Sequence, residues 1–76
     1  PNPSDERGFT VAVSGVGNGQ IVLHNMIGAE VYRKPFSAKQ MTNVRVNQNA
    51  TLTKGIYQLS VEIDGAIIDR VKIKVE

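Results

Sequence analysis

The 76-residue chain contains no cysteine and no tryptophan. Without thiols, neither a disulfide nor a thiolate metal site can staple the core, so apolar burial must hold the fold. The aromatics are Phe9, Tyr32, Phe36 and Tyr57. They are too few and too scattered for the basic, aromatic-interleaved patch of a nucleic-acid-binding domain, and no nucleic-acid partner is expected. Charge of one sign is also scarce, with nine Lys/Arg against seven Asp/Glu and a net of +2. No apolar run approaches the ~18 residues of a membrane helix, so no transmembrane segment is expected. No basic-then-apolar leader opens the chain. It starts at Pro1 without an initiator methionine, which reads as one domain, residues 1–76, cut from a longer precursor. The only histidine is His24, with no nucleophile or carboxylate predictable beside it. Catalytic, metal-binding and cofactor roles are therefore not expected. "GVGNG" is glycine-rich but leads into a strand pattern, so it lacks the helix N-terminus that binds phosphate.

What the chain does have is alternation with period two. Phe9, Val11 and Val13 share one face of the first such segment. "QIVLHN" is apolar on both faces, as in a more central strand. Val44 and Val46 alternate with Asn43, Arg45 and Asn47. Tyr57, Leu59, Val61 and Ile63 alternate with Gln58, Ser60 and Glu62. Ile67, Val71, Ile73 and Val75 lie opposite Arg70, Lys72 and Lys74. Pro35 cannot donate to a ladder and marks an edge or a strand end. No stretch keeps helical spacing over ten residues. Six to seven short antiparallel strands in an all-β, immunoglobulin-like β-sandwich are expected.

The turns sharpen this picture. "SGVGNG", residues 14–19, reads as a flexible loop between the first two strands. "NMIG", residues 25–28, fits a type I turn with Gly28 left-handed. Around "IDGA", pairing core residues with core residues predicts a three-residue Ile63-Asp64-Gly65 loop. It places Gly65 in a bulge, with Val61 opposite Ile67 and Tyr57 opposite Val71. In "LTKGIY", Leu52 is expected to plug the core, Gly55 to permit the turn, and Tyr57 to close the corner through its hydroxyl. Asp69 falls on the apolar face of the last strand. It is expected to reach water or a backbone N–H, because a buried unpaired carboxylate is too costly.

These residues together resemble the C-terminal sorting domain of the type IX secretion system, carried by cargo proteins of Bacteroidetes-type bacteria. The likeness covers nearly the whole chain. It rests on Pro1-Asn2-Pro3, the "GFTV" strand, "VLHNMIGAEV" with Gly28 and Val31, then Leu52, Gly55 and Tyr57. It ends on the basic row Arg70, Lys72 and Lys74. His24-Asn25 replace a usual Tyr-Asp, Arg70 stands where Lys is commoner, and the chain ends on Glu76.

The resemblance implies a transport address with no cofactor. Its partners would be the type IX translocon, outer-membrane shuttle components and a sortase-like signal peptidase. Its route would run through the periplasm to the cell surface or beyond. Arg70, Lys72, Lys74, Val75 and Glu76 would be the residues read by the translocon. Pro1, Asn2, Pro3, Gly28, Leu52, Gly55, Tyr57 and Gly65 would be the family's structural positions. Two other readings stay open at this point: an immunoglobulin-like accessory module for adhesion or carbohydrate binding, and a strand-mediated dimer through an unprotected edge.

Overall fold

The period-two segments form strands, and four of them pair into one antiparallel sheet. The computed structural model describes residues 9–46 and 53–75. The strands are β1 (Phe9–His24), β2 (Glu30–Val46), β3 (Gly55–Ile63) and β4 (Ala66–Val75). They lie in the order β2-β1-β3-β4, which makes β2 and β4 the edges among the described residues. Pro35 accordingly sits in an edge strand, where its missing N–H is tolerated.

The described residues form four long strands, where the sequence reading expected six to seven short ones. The difference lies in "SGVGNG", which is no loop. It runs inside β1 in unbroken register with β2, Gly15 facing Gln40 and Gly19 facing Phe36. β1 has 16 residues, which would span roughly 50 Å if straight. The longest extent of the molecule is only 32 Å, so the hairpin must bend. β2 shows where. Lys34 Nζ donates to the carbonyl of Arg45 at 2.6 Å, across eleven positions of one strand. A straight strand would separate those residues by about 36 Å, far beyond a lysine's reach. The corner lies at Lys39–Thr42, where Gln40 takes a φ of 71° and Thr42 Oγ1 accepts from the Lys39 N–H. Each of β1 and β2 therefore supplies two straight runs, which is why turn-like composition at residues 14–19 suggested separate strands.

On the inner face of β1 the odd residues run Val13, Gly15, Gly17, Gly19, Ile21. The three glycines remove the side chains where other groups press closest. A methyl group on Gly15 would strike Ile63, one on Gly17 the Asp64 carboxylate, and one on Gly19 the Phe36 ring. The bend brings Val13, Val44 and Val46 into one core with Ile21, Leu23, Leu59, Val61, Ile73 and Val75. Leu23, Ile21 and Val46 have no exposed surface. At ~1.5–3 kcal/mol for each fully buried aliphatic side chain, such a core is the main stabilising term of a chain this short.

The β1–β2 turn matches expectation. Gly28 N–H donates to Asn25 O at 3.0 Å, Gly28 has φ 89°, and the Asn25 carboxamide oxygen accepts from Ile27 and Ala29. The β3–β4 hairpin does not. Ile63 faces Ala66 across a two-residue Asp64-Gly65 turn, with φ of 52° and 85°. Gly65 therefore sits in the turn and not in a bulge. The Asp-Gly pair suits the primed turn whose twist matches the strands. The extra residue falls further along instead. Glu62 faces Ile67 and Val61 faces Asp69, so Ile68 bulges out. Beyond the bulge Leu59 faces Val71, Tyr57 faces Ile73 and Gln58 faces Lys72. Leu59 and Tyr57 thus meet apolar partners through a bulge instead of a longer loop, while Val61 faces Asp69.

Candidate functional site

The candidate recognition residues collect on β4. Arg70, Lys72 and Lys74 recur every second position and are all exposed. Their neighbours on β3 are Ser60, Gln58 and Ile56, none of which carries a negative charge. Ile73 and Val75, on the other face, are buried and fix the strand's orientation. Val71, expected in the core, is 39% exposed, and Ile67 and Ile68 are each 47% exposed. They lie nearer the β3–β4 turn, whereas Ile73 and Val75 lie toward the far end of β4. Val75 thus anchors the site from within, while the three cations face outward. Glu76, Leu52 and Pro1-Asn2-Pro3 lie outside the described residues.

The late structural motif is brought against this strand. Gly55 faces Val75 and Tyr57 faces Ile73 across the β3–β4 ladder. The Tyr57 hydroxyl donates to Thr53 O at 2.7 Å and lies 3.3 Å from Thr53 Oγ1. That bond ties the entry of β3 to its own upstream backbone, the corner expected from "LTKGIY". A shallow groove of about 300 Å³ between Lys54, Gly55, Lys74 and Val75 marks where the two strand ends meet. Gly28 and Gly65 do not join this cluster: they cap the β1–β2 and β3–β4 turns respectively.

Asp69 is exposed and accepts from the Arg70 N–H at 2.9 Å, as its chemistry requires. It lines a groove with Ile68, Val61 and the Ala12–Ser14 stretch of bent β1.

Other polar groups act structurally. Asn18 N–H donates to Asp64 Oδ1 at 2.9 Å, and Asp64 N–H donates to Asn18 O at 2.8 Å. This clasp seats the β3–β4 turn on the glycine stretch of β1. The sequence reading missed it, since glycines at 15, 17 and 19 suit a loop as well as a bent strand. On β2, Arg33 donates to Glu30 at 2.8 and 2.9 Å and to Gln20 at 2.7 Å. The Arg33 guanidinium holds the Glu30 carboxyl below its usual range, with a small contribution from His24. His24 itself ends β1, half-buried, facing Glu30 and Gln58. Among the described residues no group of three or more His, Cys, Asp or Glu could hold a metal ion, and no helix is long and apolar enough to cross a membrane. Tyr32 and Phe36, two of the four aromatics, pack partly buried against the core.

Searches of curated proteins and of solved structures returned no match. The family described as "Secretion system C-terminal sorting domain" matches residues 1–75, nearly end to end, and the chain belongs to that family.

Proposed function

We propose that the domain directs an attached cargo protein across the outer membrane through the type IX secretion system, passing through the periplasm to the cell surface or the medium. The family match over residues 1–75 carries this reading. The geometry fits a handle more than a catalyst: a short curled sheet, a tyrosine corner, and an exposed basic edge on the last strand. The curled sheet and the corner also favour the immunoglobulin-like sandwich as its architecture. Arg70, Lys72, Lys74, Val75 and Glu76 are the residues we assign to recognition by translocon and shuttle components. Removal by a sortase-like peptidase after export, upstream of the folded domain, completes the proposal.

The test is a periplasm-targeted reporter fused to this domain in a host with the secretion machinery. The intact fusion should reach the surface or medium. Deleting residues 70–76 should leave the reporter in the periplasm. Normal export of the truncated fusion would overturn the assignment of β4 as the address.

A further inference from the structure

Among the described residues β4 is hydrogen-bonded on one side only, to β3. Its outer side therefore offers the alternate N–H and C=O groups of an edge, the feature that invites another strand. Ile68 and Asp69 face the Ala12–Ser14 stretch across a groove. From Arg70 to Val75 no described strand is paired to the outer side.

Side chains decide which strand could add. Residues directly opposite in a ladder share a face and come within about 5.5 Å. In an antiparallel pair of two β4 strands centred on Val71, Arg70 meets Lys72 of the second copy, twice. Centred on Lys72, that lysine meets itself and Arg70 meets Lys74. A register shifted by one residue puts Arg70 beside Val71 and mixes charged with apolar side chains. Parallel pairing sets the same cations side by side. Every self-pairing register thus stacks like charges or breaks the alternation. An acidic strand faces none of these costs. Carboxylates at alternate positions would meet the cations, whose β3 neighbours Ser60 and Gln58 leave Arg70 and Lys72 without a carboxylate opposite them. Apolar residues between would cover Val71, now 39% exposed, and extend the core outward.

We infer that the β4 edge from Arg70 to Val75 takes up an extended segment of a partner protein in which carboxylates alternate with apolar residues, added to the sheet as a further strand. This names the chemistry of the partner at the site proposed above, and it rests on that reading for its biological setting. Main-chain hydrogen bonds would supply much of the affinity, and the charge row would supply selectivity and encounter rate. The same row keeps the domain from pairing with itself through β4.

The test is a titration of the 76-residue chain with three synthetic peptides, followed by amide NMR. The first alternates Glu and Val, the second alternates Lys and Val, and the third is the Glu peptide N-methylated at alternate positions. The Glu peptide should shift and protect amides of β4 alone. It should bind at least about tenfold more tightly than the Lys peptide and weaken toward ~1 M salt. N-methylation should abolish the protection. Perturbation elsewhere on the domain, equal binding of the Glu and Lys peptides, or survival of binding after N-methylation would each overturn the inference. Sedimentation gives a second readout. Lys72→Glu places a carboxylate opposite Arg70 of a second copy in the Val71-centred register, so this variant should self-associate where the wild type does not. A wild-type dimer joined through β4 would also overturn it. Neither readout depends on secretion. Failure of the reporter truncation with intact peptide binding would therefore remove the sorting role and leave the strand-docking chemistry standing.

Discussion

Along β2 the edge ladder is interrupted twice, by Pro35 without an N–H and by Gln40 at a φ of 71° where the strand turns its corner. Of its four cations, Arg33 is engaged with Glu30 and Gln20, and Lys34 with the Arg45 carbonyl. Along β4, beyond the bulge at Ile68, neither device occurs, and the cations face neutral neighbours across the ladder. Both edges are guarded against pairing, by different means. Backbone geometry guards β2, and no partner can undo that. Side-chain charge guards β4, and a partner of opposite charge removes it. A domain that must be handled by other proteins without aggregating gains from having one closed edge and one selectively open one.

The comparison requires that β4 be held firmly by the core while its outer side stays available. Ile73→Ala empties a position only 5% exposed and should cost roughly 2–5 kcal/mol. That is a large share of the ~5 kcal/mol available to so small a domain. Met41→Ala, at a β2 site 71% exposed, should change stability by no more than about 0.5 kcal/mol. Urea unfolding of both variants checks this. Comparable losses at the two sites would show that β4 is not anchored as described.

The next largest effect concerns how β4 is seated. Gly17 has φ 141°, and a side chain there would run into the Asp64 carboxylate. Gly17→Ala should cost about 1–3 kcal/mol. Hydrogen exchange should quicken first in the β3–β4 hairpin and leave the far half of β2 protected. Adding Asp64→Ala should recover part of the loss, since the overlap with the carboxylate would go while that with Ile63 stays, and a double-mutant cycle measures that recovery. Strict additivity would mean that the clasp between Asn18 and Asp64 does not position the turn.

Much of this was legible in the residues. Alternation placed Val13, Val44, Leu59, Ile73 and Val75 in the core correctly, because a half-buried strand must alternate. Pro35 marked an edge, Asn25–Gly28 a turn, and Tyr57 a corner, since each residue type imposes its own backbone constraint. The cation row was legible as a solvent face. What stayed hidden was long-range. Glycines at 15, 17 and 19 permit a loop and a tightly bent strand equally, and only the positions of Ile63, Asp64 and Phe36 decide between them. The hairpin failed for a related reason. Alternation fixes which residues share a face but not where the extra residue goes, and the Asp64-Gly65 turn chemistry moved it to Ile68.

The smallest effect tests the Arg33–Glu30 pair of β2. Arg33 holds the Glu30 carboxyl below its usual range chiefly through their hydrogen bonds. A carboxyl lowered on folding contributes stability that is present above its unfolded value, about 4.3, and lost as pH falls through the lower folded value. Both side chains are about two-fifths exposed, so solvent and salt reduce the contribution. Glu30→Gln should therefore lower the melting temperature slightly at neutral pH and low salt. The difference from wild type should shrink as pH falls below about 4, and vanish near 1 M salt. The substitution also removes the carboxylate that balances Arg33, which keeps its bond to Gln20. If pairing with acidic strands depended on charge alone, the Glu/Val peptide would now protect β2 amides as well. Because Pro35 and the corner at Gln40 still break that ladder, protection should remain confined to β4.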